Sequence, residues 1–126
     1  MNMPSPIAHK SDSARVLTKA VLSVADRLGL PGRLLGQIVG VSEATVSRWR
    51  QNGAGLAPES KAFQLAALLV RAYRSLDAIV GGDEAVARTW IGNPNQALGG
   101  RPIELMLSPQ GLVDVAVYLD ARRAPL

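Results

Sequence analysis

The chain has 126 residues, which suffices for one hydrophobic core with a small additional lobe. Hydrophobic residues make up 48% and charged residues 19% of it, a composition typical of globular and not of disordered proteins. Cysteine is absent and the only histidine, His9, lies near the N-terminus. Disulfides, cysteine zinc sites and a Ser-His-Asp triad inside the fold are therefore excluded. We expect neither an enzyme nor a bound metal or cofactor.

The net charge of +4 is unevenly distributed along the chain. Residues 1–82 carry ten basic and five acidic side chains, whereas residues 83–126 carry four and five. The basic first part indicates a nucleic-acid partner, with an ordinary solubilising surface as the alternative. No segment approaches the roughly 18 consecutive apolar residues of a membrane span. We therefore expect a cytoplasmic protein without membrane contact.

The spacing of apolar residues predicts an all-α fold. Residues 1–13 contain two prolines and no apolar run, and we predict that they form a flexible leader. Ser13 is predicted to cap a helix over 14–28. Two shorter helices are predicted to follow over 31–39 and 43–51, separated by a turn at Gly40.

A fourth helix is predicted over 58–79, beginning at Pro58. Its apolar residues occupy most of its circumference, and a helix of this kind must be covered on more than one side. In so small a chain, a second subunit would provide that cover. We therefore expect a homodimer through the helix at 58–80. The alternative is that the C-terminal lobe of the same chain covers it.

The pair Gly81-Gly82 is predicted to separate a domain at 14–82 from a lobe at 83–126. Asp83 can cap a short helix that extends to Trp90. A stretch rich in Asn, Pro and Gly follows, then one or two helical turns over 102–107 and a final helix over about 109–121.

Residues 34–53 read LLGQIVGVSEATVSRWRQNG and resemble the helix-turn-helix of Xre/Cro-type repressors. Gly40 permits the sharp turn, Val41 seals the joint, and Ser42 can cap the second helix. A helical hairpin that uses this turn only for packing is the alternative.

Successive side chains of a helix differ in direction by about 100°. With Val46 and Trp49 facing the core, the opposite face is small, polar and cationic, and fits the major groove of DNA. Arg48 is predicted to contact the edge of a base, with guanine as the expected base. Arg50, Lys61 and the amides near Ser42 are predicted to contact phosphate. The predicted DNA-binding residues are Gln37, Ser42, Ala44, Thr45, Ser47, Arg48, Arg50, Gln51 and Lys61.

Residues 90–106 read WIGNPNQALGGRPIELM and resemble the toxin-binding domain of Xre/MbcA/ParS-type antitoxins. The shared pattern is a tryptophan, Asn-Pro, Ala-Leu-Gly-Gly and Pro-x-Glu-Leu, and the resemblance extends over about 14–122. It implies a non-enzymatic, dimeric antitoxin paired with a RES-domain toxin, which resembles ADP-ribosyltransferases and acts on NAD. It also implies that the C-terminal lobe occludes the toxin's NAD pocket and that the helix-turn-helix represses the operon. The alternative is a stand-alone Xre-like transcriptional regulator whose lobe serves only assembly.

Prolines and paired glycines can hold the segment 92–102 in a tight loop whose backbone approaches a partner closely. Arg122 and Arg123 lie at the end of the last helix, where an arginine could enter a pyrophosphate pocket and compete with NAD. The candidate toxin-binding residues are Asn93, Pro94, Asn95, Leu98, Gly99, Gly100, Arg101, Tyr118, Asp120, Arg122 and Arg123. Asn93 and Asn95 could instead bond their own loop backbone.

Overall fold

The computed structural model describes residues 6–52 and 55–123, with side chains described for 11–51 and 55–123. The described part is all-α, as predicted, and contains no strand. Its helices are α1 Pro6–Leu28, α2 Gly32–Val39, α3 Glu43–Asn52, α4 Lys61–Ile79, α5 Glu84–Gly92, α6 Pro102–Leu105 and α7 Pro109–Arg122. Residues 1–5 of the predicted leader, Gly53 and Ala54 of the predicted loop, and residues 124–126 lie outside the described residues.

Helix α1 begins at Pro6, so the prediction that residues 6–13 belong to a flexible leader is wrong. Pro6 occupies the first helical position, where its fixed φ suits the helix and its missing N–H would have no partner in any case. Ser13 is therefore an interior, exposed residue of α1 and not its cap. Ala14, the next residue, is buried.

Helix α4 begins at Lys61, three residues later than predicted. The Ser60 Oγ accepts a hydrogen bond from the Phe63 amide at 3.1 Å, which caps the helix. Glu59 has a left-handed φ of 60°, so Pro58 belongs to the turn that precedes the helix. Lys61, a predicted phosphate contact, is thus the first residue of α4.

The predicted caps at Ser42 and Asp83 are confirmed, and Ser108 caps the last helix. The Thr45 amide donates to the Ser42 Oγ at 3.1 Å, at the start of α3. The Asp83 carboxylate caps α5, and the Ser108 hydroxyl caps α7 by accepting from the Gly111 amide at 3.0 Å. Each cap satisfies an amide that has no partner inside its own helix.

Helix α4 is the central element of the fold. It packs against α1 and α2 on the side of the helix-turn-helix and against α5 and α7 on the side of the C-terminal lobe. Leu69 and Leu76 of α4 are buried, as are Leu112, Val115 and Leu119 of α7. Other helices of the same chain therefore cover most of α4, as the alternative interpretation held. The apolar residues around α4 no longer require a second subunit, and self-association through this helix stays a prediction.

Candidate functional site

The turn between α2 and α3 is held by the backbone of α2. Gly40 has a φ of 81°, and the amides of Gly40 and Val41 both donate to the Gly36 carbonyl, at 2.8 and 2.9 Å. A Cβ on Gly36 would lie only 2.6 Å from the Val41 carbonyl oxygen. A side chain at this position would therefore push the turn away from α2, and glycine permits the close approach.

Helix α3 faces the core with Val46 and Trp49, which are 1% and 6% exposed. Its opposite face carries Ala44, Ser47, Arg48 and Gln51, all exposed, as the 100° spacing predicts. The outward-facing side of α3 therefore carries small, polar and cationic side chains, which a helix needs in order to enter the major groove.

The outer face of α3 carries a chain of hydrogen bonds. The hydroxyls of Ser42 and Thr45 lie 2.9 Å apart, and the Arg48 Nη2 donates to the Thr45 Oγ1 at 2.9 Å. On the neighbouring row, the Gln51 amide donates to the Ser47 hydroxyl at 3.3 Å. These bonds hold the Arg48 guanidinium along the helix in one orientation.

The predicted phosphate contacts differ in their surroundings. Gln37 and Lys61 are exposed, and Lys61 has no ion pair among the described residues. The Arg50 guanidinium instead forms an ion pair with Asp26 of α1 at 3.0 Å. Arg50 thus connects α3 to α1, and it would have to leave Asp26 in order to contact DNA.

Arg33, near the start of α2, is an exposed cation that is not among the predicted DNA-binding residues. It has no ion pair with any described residue. An ideal Cβ on the adjacent Gly32 would lie 3.8 Å from the Cγ of Glu43, so the N-termini of α2 and α3 lie side by side. Arg33 therefore adds an exposed cation at the N-terminal end of α2, the end that lies next to Glu43. Its position at the N-terminal end of the first helix of the motif was the available signal.

The loop between α5 and α6 is closed by its own backbone. Asn95 and Gly100 exchange two backbone hydrogen bonds, of 2.9 and 3.3 Å. The Asn95 side-chain oxygen accepts from the Leu98 amide at 3.0 Å, and Gly99 has a φ of 80°. Asn95 thus bonds its own loop, as the alternative interpretation held, while Asn93 and Pro94 remain exposed.

Arg101 fastens the two ends of this loop. Its Nε donates to the Gly92 carbonyl at 2.7 Å, and its Nη1 pairs with the Glu104 carboxylate at 2.8 Å. Both donor groups are engaged within the lobe. The position of Arg101 therefore fixes the loop that a partner would meet.

Three side chains form a stack at the surface of the C-terminal lobe. The Trp90 and Tyr118 rings stack with centroids 6.1 Å apart, and the Arg122 guanidinium lies 4.2 Å from the Tyr118 ring centroid. The Asn95 Nδ2 also lies 3.4 Å from the Tyr118 hydroxyl. This hydrogen bond, and after it Arg122, lower the pKa of Tyr118.

A cavity of about 230 Å³ lies beside this stack. Its lining combines apolar groups with the polar edge of the loop, and the residues are Val86, Thr89, Trp90, Asn93, Pro94 and Asn95. The loop, the Trp90 ring and α5 therefore present one continuous, partly apolar surface.

Asp120 faces α4 and not the stack. Its carboxylate accepts a 2.6 Å hydrogen bond from the buried Ser75 hydroxyl and forms an ion pair with Arg71. The Ser75 hydrogen bond, followed by Arg71, lowers the pKa of Asp120. The carboxylate of Asp120, a predicted toxin-binding residue, is thus already used within the chain, as are the side chains of Arg101 and Asn95.

The described residues contain no cluster of His, Asp or Glu able to hold a metal ion. Within that same part of the chain, none of the helices is both long and apolar enough to cross a membrane.

Two family models match the chain. The antitoxin Xre-like helix-turn-helix domain matches residues 8–71. The antitoxin Xre/MbcA/ParS C-terminal toxin-binding domain matches residues 75–124. No curated protein matches the chain. The first match spans half of the sequence and contains α2 and α3, while the second contains the loop, the stack and α7. The chain therefore belongs to the antitoxins that join an Xre-like helix-turn-helix domain to a C-terminal toxin-binding domain.

Proposed function

We propose that this antitoxin neutralises a RES-domain toxin with its C-terminal lobe and represses its own operon through α3. The observation that carries the toxin-binding half is the distribution of exposed apolar side chains. Five of the six exposed large hydrophobic residues in the described part of the chain lie within the matched toxin-binding domain: Ile79, Val86, Leu107, Val113 and Val117. The concentration of exposed apolar side chains in this half of the chain supports a protein interface there.

Two parts of this lobe are suited to contact the toxin. Val113 and Val117 lie one turn apart on α7 and are 36% and 57% exposed. Val86 lines the cavity beside Trp90 and Pro94. Desolvation of these groups would supply binding energy, and the rigid loop would supply a fixed shape.

The end of α7 is the part best placed to act on the toxin's active site. Arg122 and Arg123 are exposed at the C-terminal end of this helix. A guanidinium has five N–H donors and no acceptor, so it would pair with carboxylate or carbonyl groups at the mouth of the pocket, and its bulk would block entry of the dinucleotide. We therefore propose that the terminal arginines occlude the NAD pocket.

The DNA-binding half of the proposal rests on the outer face of α3. Arg48 would read a base edge, and Gln37, Lys61 and Arg33 would contact phosphate. Repression of this kind requires two half-sites, so the antitoxin would act as a homodimer. Both proposed roles place the protein in the cytoplasm.

Co-expression with the adjacent open reading frame tests the proposal. The neighbour alone should arrest growth, and this chain should restore growth and co-purify with the neighbour. The Arg122→Ala/Arg123→Ala double variant should lose neutralisation, whereas Arg48→Ala, expressed from an independent promoter, should retain it. Retained neutralisation in the double variant would remove the arginines from the proposal. Absence of toxicity and of a complex would leave a stand-alone DNA-binding regulator.

A further inference from the structure

Helices α1 and α3 border an open cavity of about 570 Å³. Its lining residues are Arg15, Thr18, Lys19, Leu22, Trp49 and Arg50. The three cationic side chains of this set are exposed, whereas Leu22 is half-buried and Trp49 is buried. The cavity therefore has a cationic rim around apolar side chains, and the two cations on α1 belong to no site described above.

The cations of this rim repel each other. Arg15 and Lys19 lie one turn apart on the same face of α1, a spacing at which like charges destabilise a helix. Arg50 lines the same cavity from α3. An anion bound between the three side chains would remove this repulsion.

Two of the three cations are held by aspartates of α1. Arg15 pairs with Asp12, and Arg50 pairs with Asp26 at 3.0 Å. Both aspartate side chains are well exposed, and ion pairs of this kind contribute little to stability. Lys19 is exposed and forms no ion pair with any residue that the structure describes. An external anion can therefore bind Lys19 directly and replace the aspartates at small cost.

The walls of the cavity are fixed without a ligand. The Thr18 hydroxyl donates to the Ala14 carbonyl at 2.7 Å and accepts from the Leu56 amide at 3.0 Å. These bonds tie α1 to the segment that leads to α4. On the other side, Trp49 is 6% exposed and anchors α3 in the core. A ligand would therefore meet a preformed site.

The cavity lies beside the outer face of α3. An α-helix about 10–12 Å across fills a major groove about 12 Å wide, so the two DNA backbones pass along its flanks. Arg48 and Gln51 lie on the outer face, whereas Arg50 turns to the flank toward α1. The cavity is therefore on a flank where a backbone would pass.

We propose that this cavity binds the sugar-phosphate backbone of DNA. Lys19, Arg15 and Arg50 pair with phosphate, and the apolar side chains between them pack against deoxyribose. Asp26 holds the Arg50 guanidinium until phosphate replaces it. This inference rests on the DNA-binding half of the proposed function and extends the interface from α3 to α1.

The salt dependence of binding by Lys19→Ala tests the site in the full-length protein. The probes are the duplex that precedes the chain's own coding sequence and an unrelated duplex of equal length. For both, the slope of log affinity against log salt should fall by about one. The loss of affinity should then be about three- to fourfold larger at about 50 mM than at about 200 mM salt. Lys19→Arg keeps the cation and should keep the wild-type slope.

Asp26→Asn tests whether the aspartate competes with phosphate for Arg50. Asparagine carries no charge to hold the guanidinium, so both duplexes should bind more tightly. The gain should be larger in the presence of Arg50 than in an Arg50→Ala background by at least about twofold, the lower end of the coupling between residues in contact. Equal gains in the two backgrounds would overturn the exchange of Asp26 for phosphate.

Arg74→Ala is the matched control for the loss of one positive charge, because Arg74 is an exposed residue of α4 that lines a different cavity. It should keep the wild-type slope, and circular dichroism checks the helix content of each variant. A wild-type slope in Lys19→Ala, an equal fall in Arg74→Ala, or a loss confined to one duplex would each overturn this inference alone. A wild type that binds neither duplex would instead overturn the DNA-binding half of the proposed function, and this inference with it.

Discussion

The Thr45 hydroxyl connects the cap of α3 to its central cation. It lies 2.9 Å from the Ser42 hydroxyl and accepts a hydrogen bond from Arg48. A guanidinium held in this way loses less conformational entropy when it binds than a free one does. Arg48 is therefore the side chain on α3 best prepared for a bidentate contact with a base.

For this reason we expect Arg48→Ala to reduce base discrimination. A bidentate contact of this kind contributes about 1–3 kcal/mol of preference for the correct base. The measurement is the ratio of dissociation constants for the operator and for an unrelated duplex at one salt concentration. An unchanged ratio would show that Arg48 does not read a base.

Lys61→Ala should change DNA binding in a different way from Arg48→Ala. A phosphate contact carries no sequence information, so this variant should bind every duplex more weakly by a similar factor. The slope of log affinity against log salt should fall by about one. A selective loss for the operator would contradict the assignment of Lys61 to phosphate.

Gly36→Ala should destabilise the helix-turn-helix. Alanine would favour α2 intrinsically by up to about 1 kcal/mol, but its Cβ would meet the Val41 carbonyl at 2.6 Å. Overpacking against backbone costs about 1–3 kcal/mol, so the clash outweighs the propensity. Urea unfolding measures the change, with Gly92→Ala as the control because a Cβ there meets nothing within 4 Å. Equal stability of the two variants would contradict this explanation.

At the scale of elements, the Ser75–Asp120 hydrogen bond joins α4 to α7. The pKa of Asp120 is lowered in the folded chain. The ionised Asp120 carboxylate therefore contributes fully to the free energy of unfolding at pH values above the ordinary pKa of a carboxyl group. This contribution is lost as the pH falls through the lowered pKa of the folded state.

Ser75→Ala should accordingly lower the free energy of unfolding at neutral pH by about 1.5–3 kcal/mol, the value of a hydrogen bond to a charged group. The loss of stability between about pH 5 and pH 2 should also become smaller than in the wild type. Urea unfolding across this range measures both effects. Ser23→Ala, at an exposed serine of α1, provides the control. An unchanged pH dependence would show that Ser75 does not set the pKa of Asp120.

The exposed face of α7 yields a prediction about toxin. Val117→Asp would place a charge in an interface that must exclude water, so neutralisation and co-purification should be lost. Operator affinity should be unchanged because Val117 lies outside the helix-turn-helix. The growth assay and a DNA-binding assay on the same variant measure both outcomes. A fully neutralising Val117→Asp protein would exclude this face of α7 from the contact.

At the scale of the whole molecule, the features that could be predicted from sequence are those set by residues close together in the chain, such as helix caps. The caps at Ser42 and Asp83 could be predicted because a cap and its amide lie within three residues of each other. The starts at Ser13 and Pro58 were wrong because neighbouring residues offered competing starts. At α4 the competing cap was Ser60.

Features that depend on how the helices pack against each other could not be predicted from the sequence. The pattern of α4 showed that several sides need cover, but no periodicity within one helix says whether α7 or another subunit supplies it. Asp120 was expected to face a partner, and only the approach of α7 to Ser75 shows that its carboxylate is used inside the chain. The ion pair between Arg50 and Asp26 spans 24 residues and leaves no local signal.

The central position of α4 has a consequence for recombining antitoxins. One side of this helix belongs to the core beneath the helix-turn-helix and another to the core beneath α7. A chimera joined at Gly82 would graft a foreign lobe onto an α4 shaped for different side chains. A crossover before Ser60 would keep α4 with α7 but separate it from α1 and α2. Exchange of toxin preference should therefore succeed most readily between relatives that share the sequence of α4.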